Sequence, residues 1–300
     1  MGKASRIKQQ SAREKIAAQR EAARKAERRN RMIITGGSTL VVLVVVLAFI
    51  VIKLTQGSPS SGAGDSSVTG SLLPASVASQ VTGVPTATLD KVGKGTVPSF
   101  THGQPPFTAG SGAALTSGGK PQMLYIGAEF CPYCAAMRWS MAIALSRFGT
   151  MTPLHGIHSS PTDTDPNTAT LTFYKTGYHS NYLNFAPVEN LTVTHALLQN
   201  PTKAQNALWA KYEPDPSTRG YPFIDFGNKL IMKGPIFDAA VLQGKTWSQI
   251  AAALKDPTSP IAQSVDGAAN YITGAICKMT NNQPSDVCSS TAVTAVQSGL

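Results

Sequence analysis

The longest unbroken apolar stretch of the 300-residue chain comes early. Residues 32–52, MIITGGSTLVVLVVVLAFIVI, hold 21 positions without a charge, which at about 1.5 Å per helical residue spans a hydrocarbon core of about 30 Å. One transmembrane helix is expected there. A cleaved signal peptide is the competing reading, but the apolar stretch is longer than a signal core and 31 residues precede it. From Ser5 to Arg31, Ala alternates with Lys, Arg, Glu and Gln, which gives high helix propensity and no apolar stripe wide enough to bury. Residues 53–86 are rich in Gly, Ser, Thr and Ala, the composition of a flexible spacer.

Large apolar residues return between Ala87 and Lys120, where Val92, Val97, Phe100, Phe107 and Leu115 stand among Gly and Pro. Irregular strands and loops are expected there, in a folded domain over 87–290 with a short tail at 291–300. The run Gln122 to Ala128 (QMLYIGA) reads as a buried central strand, and Ala135 to Phe148 as a helix closed by Gly149. Strands are expected over 154–159 and 169–174, and helices over 192–199 and 202–212. Residues 222–226, the turn Gly227-Asn228 and residues 229–233 form a hairpin pattern. Helices follow over 246–255 and 259–277, the second with Ile261, Val265, Ala269, Ile272 and Ile276 along one face. Roughly 200 residues suit one packed core.

Charge changes the picture of the first segment only. Of the net charge of +10, residues 1–31 carry +8, from eleven Lys or Arg against three Glu. The rest is close to neutral, so a nucleic-acid-binding surface on the folded domain is not supported. Dense basic residues before the apolar run, against Lys53 just after it, place the N-terminus in the cytoplasm and everything after Lys53 outside the cell membrane. The tail then serves as a topology determinant attracted to anionic lipid, with docking of a cytoplasmic partner as the alternative. All four cysteines, Cys131, Cys134, Cys277 and Cys288, lie on the extracytoplasmic side of a single-pass protein, in a disulfide-permissive compartment.

The chemistry concentrates at Cys131-Pro132-Tyr133-Cys134. A Cys-x-x-Cys pair can close a disulfide across one helical turn, and a cysteine at a helix N-terminus has its thiolate stabilised by unpaired N–H groups and the helix dipole. Strand, short loop, Cys131, Pro132 at a helix-start position and an Ala-rich helix supply that context. Cys131 is the expected exposed nucleophile and Cys134 the more buried resolving thiol. A static disulfide and half of a zinc site are the alternatives; the ten residues between Cys277 and Cys288 are too many for the usual zinc spacing.

The segment MLYIGAEFCPYCAAMRW resembles the active-site strand and helix of the thioredoxin-like superfamily, and GYPFIDFGNKLIM resembles its strand entered through a cis-proline and followed by a hairpin partner. The resemblance implies an α/β thioredoxin-like fold, a central mixed sheet flanked by helices, after a single transmembrane helix. It implies a cis peptide at Tyr221-Pro222 packed against the Cys pair, so that Pro222 shapes a substrate groove to which Pro132, Tyr133 and Tyr221 contribute. The 91 residues from Cys131 to Pro222 require a large insertion, more like the helical insertions of periplasmic thiol oxidoreductases. Where thioredoxin carries a buried acid, this chain has Tyr125, so proton handling differs. The tail, anchor, GAEFCPYCAAMRW, late proline and C-terminal Cys pair are together similar to the uncharacterised membrane-anchored family of domain of unknown function 929, over about residues 30–290.

Other positions carry less. Glu129 reads either as an exposed loop acid or as a proton relay for Cys134. Cys277 and Cys288 bracket a polar turn and read as a structural disulfide, or as a relay pair exchanging with Cys131 and Cys134. His155 and His158, three apart on a strand, face opposite ways. Asn190-Leu191-Thr192 matches a glycosylation sequon, and Trp139 and Trp209 read as core residues. The leading expectation is an extracytoplasmic thiol-disulfide oxidoreductase acting on protein thiols or disulfides, with no cofactor and no metal, served by a membrane redox partner. The alternative is a non-catalytic membrane-anchored binding or scaffold module with structural disulfides.

Overall fold

A computed structural model describes residues 70–300. The basic tail 1–31, the apolar run 32–52 and most of the expected spacer lie outside the described residues. Among the described residues no helix is long and apolar enough to cross a membrane.

The fold is mixed α/β. It opens with strand β1 (Ser71–Leu72) and three helices, α1 (Ala75–Thr82), α2 (Thr86–Val92) and α3 (Val97–Phe100). Short strands β2 (Thr108–Ala109) and β3 (Thr116–Ser117) lead into β4 (Lys120–Gly127) and the long helix α4 (Pro132–Ser146). Strands β5 (Gly149–Thr152), β6 (His155–His158), β7 (Ala169–Thr172), β8 (Gly177–Ser180) and β9 (Asn184–Glu189) follow, then helix α5 (Lys203–Tyr212). The hairpin β10 (Phe223–Phe226) and β11 (Leu230–Lys233) precedes a 3₁₀ turn and helices α6 (Trp247–Ala253), α7 (Pro260–Met279), α8 (Ser285–Cys288) and α9 (Thr291–Gln297).

Strand β4 organises the main sheet. It runs parallel to β9 and antiparallel to β10, which pairs with β11, and β11 with β2. From Met123 onward its residues are buried on both faces, and successive ones enter different clusters, as the period of two demands. Met123 and Tyr125 pack with residues of α4 and α7, whereas Leu124 and Ile126 pack with Val188, Phe223 and Trp209 of α5. The sheet therefore lies between two helical layers. The apolar face of α7 is buried at all five expected positions, and α7 meets α4 where the Ser140 hydroxyl donates to the Val265 carbonyl at 2.8 Å.

Several expectations need correction. The spacer expected over 53–86 contains, in its described part, β1 paired with β6 and helix α1 with Val77 and Val81 buried. Small apolar residues dispersed among Ser and Thr were enough to form a packed face. Residues 87–120 begin with helical turns, and the tail at 291–300 is helix α9, which buries Ala292, Val293 and Val296. The insertion between α4 and β10 is mostly strands, not helices: β6 and β7 pair with each other, and β5 with β8. Residues 192–199 are not helical. The Ala196 N–H donates to the Thr192 hydroxyl at 3.1 Å, His195 has φ 63, and Leu191 bridges Leu197; a side chain competing for backbone groups diverts the chain into a turn. By contrast α5 starts where expected, with Thr202 and Gln205 forming a reciprocal capping box.

Candidate functional site: a dithiol over a buried ion pair

The end of β4 delivers Cys131 to the N-cap of α4, with Pro132 at the start of the first turn. Cys131 and Cys134 are free thiols. The Cys134 N–H donates to Cys131 Sγ at 3.3 Å, and the Cys131 thiol faces the Tyr221 carbonyl at 3.7 Å. The cysteine expected to be exposed is buried: Cys131 is 4% exposed and Cys134 fully enclosed. Ala128 packs with both, and Phe130, Leu191 and Tyr221 close over them. Tyr133 points outward, 39% exposed.

The two thiols differ in acidity in the sense the nucleophile assignment requires. The Cys134 side-chain hydrogen bond holds Cys131 below its ordinary range against the opposing effect of burial, and the Cys134 N–H and the Arg138 charge add to the lowering. Burial pushes Cys134 well above its ordinary range, and hydrogen bonding to Cys131 adds to the rise.

The peptide Tyr221-Pro222 is cis and sits beside the dithiol. The Pro222 carbonyl is taken by the Gly234 N–H at 2.8 Å, whereas the Tyr221 carbonyl faces the Cys131 thiol. The Tyr221 ring is fixed by its hydroxyl donating to Asn190 Oδ1 at 2.5 Å and by Trp209, whose ring centroid lies 5.4 Å away. Asn190 also donates through Nδ2 to the Gln199 carbonyl at 2.9 Å. Both ends of that side chain are therefore engaged within the protein.

Glu129 is not an exposed loop acid. It is 2% exposed and accepts the Thr172 hydroxyl at 2.7 Å, and burial raises its pKa. It also borders a cavity of about 440 Å³ with Gly156, His158, Val193 and Trp247. Beside the site, Phe130 stacks on His195 with centroids 3.9 Å apart.

Sequence reasoning missed the ion pair beneath the dithiol. Arg138, one turn past Cys134, is fully buried and ion-paired with Glu189 at the end of β9. Its Nη2 also donates to the Ala128 carbonyl at 2.7 Å. The available signal was a lone Arg in an otherwise apolar helix, which must find an anion when buried. Tyr125 lies fully buried nearby, packed edge-on against Phe173.

Cys277 and Cys288 form a disulfide with Cα atoms 5.7 Å apart, joining the end of α7 to α8. They pack in the large core cluster, apart from the cluster that holds Cys131 and Cys134. Trp139 and Trp209 are core residues, with indole N–H groups donating to the Ala169 carbonyl and to Glu213.

Residues 106–278, more than half of the chain, match the family described as Domain of unknown function (DUF929), and the chain belongs to that family. The match contains the dithiol, Arg138, Glu189 and the cis peptide, and stops short of Cys288. No curated protein and no solved structure matches the chain.

Proposed function

We propose that this chain is a thiol-disulfide oxidoreductase with a thioredoxin-like fold, acting on protein disulfides or dithiols from a single-pass anchor on the extracytoplasmic side of the cell membrane. The observation that carries the reading is the asymmetric dithiol at the start of α4: Cys131 Sγ accepts the Cys134 N–H and has its pKa lowered, Cys134 lies one turn deeper, and the Cys131 thiol faces the Tyr221 carbonyl. Support for the fold comes from β4, α4 and a parallel partner strand, followed by a cis peptide that opens an antiparallel hairpin. In the proposed cycle the Cys131 thiolate attacks a client disulfide and displaces one client thiolate. Cys134 then resolves the mixed disulfide, leaving Cys131–Cys134 oxidised and the client reduced; the reverse sequence oxidises a client dithiol. A membrane redox partner resets the pair. Pro132, Tyr133 and Tyr221 would border the client strand, with Pro222 fixing the turn, and Glu129 would exchange protons at the adjoining cavity.

A second reading is favoured by one observation, the burial of Cys131 to 4% exposure. A dithiol closed over by Phe130, Leu191 and Tyr221 also suits a non-catalytic, membrane-anchored binding module. The full-length Cys134→Ser chain separates the two. If the oxidoreductase reading holds, it accumulates mixed disulfides on Cys131 with envelope proteins; a chain that traps nothing, with Cys131 alkylating like an ordinary thiol, leaves the binding module.

A further inference from the structure

One buried corner below the dithiol is polar and incomplete. The Tyr125 hydroxyl and Arg138 Nη1 are both enclosed and neither makes a well-formed hydrogen bond, while the Tyr125 hydroxyl stands next to the Cys134 side chain. Native interiors rarely leave such donors unused, and each one asks for an explanation. Both converge on the same short stretch of backbone. The Tyr125 hydroxyl lies over Gly127, where a β-carbon would collide with it. Arg138 holds the next carbonyl, that of Ala128, through Nη2. Ala128 packs against Cys134, and Cys134 and Arg138 share one face of α4, a turn apart.

We propose that the Tyr125 hydroxyl and the Arg138 Nη1–H form a buried anion cradle that receives Cys134 as a thiolate while the mixed disulfide is resolved. The proposal rests on the oxidoreductase reading and says how its second step becomes feasible. In that step the Cys134 thiolate attacks Cys131 Sγ. The bond between Cys131 and the client sulfur breaks, the Cys131–Cys134 bond forms, and the client sulfur leaves with the electron pair and takes up the proton that Cys134 gave up. Neither Tyr125 nor Arg138 takes up that proton, since a guanidinium is already protonated and has no acceptor, and a neutral phenol oxygen is far too weak a base to be protonated. The Arg138 charge is the main influence opposing the upward shift that burial and Cys131 impose on Cys134. Two donors thus occupy the role a buried acid would otherwise fill, by stabilising the anion rather than removing the proton.

The test uses the full chain, reduced at Cys131 and Cys134 and capped on Cys131 as a methyl disulfide with methyl methanethiosulfonate. Formation of the Cys131–Cys134 bond is followed by mass across pH. In Tyr125→Phe the capping rate is unchanged, while the resolution midpoint moves up by about one pH unit and the rate at neutral pH falls about tenfold, the size expected for a hydrogen bond to a charged group. Arg138→Lys, which keeps the charge and loses the fork, moves the midpoint the same way. Incorporating meta-fluorotyrosine throughout, a stronger donor of nearly the same shape, lowers the midpoint and serves if Tyr125→Phe folds poorly. An unchanged midpoint in Tyr125→Phe or with fluorotyrosine overturns the cradle. A wild-type chain that never resolves its capped Cys131 overturns the oxidoreductase reading instead.

Discussion

Arg138 holds Glu189 through two parallel hydrogen bonds, Nε to Oε1 at 2.8 Å and Nη2 to Oε2 at 2.6 Å, with both side chains fully buried. Glu189 Oε1 accepts in addition the Phe173 N–H at 3.1 Å. The pair therefore joins α4, the end of β9 and the segment after β7 directly beneath the dithiol. Two buried charges are costly to desolvate, and removing one leaves the other uncompensated. Arg138→Ala or Glu189→Gln is expected to destabilise the reduced protein by about 3–5 kcal/mol, and the double replacement Arg138→Met with Glu189→Leu by much less. Urea denaturation of the three variants measures both, and equal losses would contradict the account.

The acidity of Cys131 depends most on its neighbour. Because the hydrogen bond from the Cys134 side chain is the largest influence lowering Cys131, alkylation of Cys131 by iodoacetamide should reach its plateau at a pH below the value of about 8.5 for a free thiol. Cys134→Ala should move the midpoint upward. The linkage has a definite sign: a folded pKa below the unfolded one stabilises the folded state above the unfolded pKa, and that contribution fades as pH falls through the folded value. A midpoint unchanged in Cys134→Ala would show that the helix terminus, not the second thiol, sets the acidity.

How much of this was readable beforehand depends on whether the cause is local. The strand–Cys-x-x-Cys–helix run, the Gly227-Asn228 hairpin and the apolar face of α7 follow from neighbouring residues, and each was legible. Helix α1 was not, because Val77 and Val81 lie in a Ser- and Ala-rich stretch whose composition matches a spacer, and only long-range packing reveals their burial. Strand β9, which carries Glu189, was not expected either: NFAPVE lacks a clean alternation, and its pairing partner β4 is far away in sequence. Arg138 was visible as a residue, but its partner 51 positions later became visible only when the parallel pair formed.

Asp266 offers a pH test away from the dithiol. It lies on α7 with neither carboxylate oxygen hydrogen-bonded, and burial pushes its pKa up to about 8. A carboxyl raised in this way gives stability that is complete below its unfolded pKa of about 3.9 and is lost as pH rises toward the folded value, on the order of 5 kcal/mol in total. Asp266→Asn should therefore be more stable than wild type by a few kcal/mol at a pH of about 8.5 and nearly equal to it at about pH 4. Thermal unfolding of both proteins across that range measures the slope; parallel curves would show that Asp266 stays ionised through a partner.

The Cys277–Cys288 disulfide should act as a brace for the C-terminal helices. It closes a loop of sequence separation 11 between α7 and α8, for which the chain-entropy argument gives about 3 kcal/mol. Helix α9 depends on the same corner: Val296 packs against α7 close enough that a β-carbon at Gly274 would meet it at 2.9 Å, and the Ala292 N–H donates to Asp90 Oδ1 at 2.8 Å. Replacing both cysteines with serine should cost about 2–4 kcal/mol in thermal unfolding. Because removing the bond frees the turn before α9, hydrogen exchange should quicken at residues 291–297 before it quickens in β4. The Cys131–Cys134 pair sits in a separate cluster, so its alkylation midpoint and its rate of resolving a capped Cys131 should be unchanged in the same variant. A slower resolution with intact global stability would make Cys277 and Cys288 a relay pair rather than a brace.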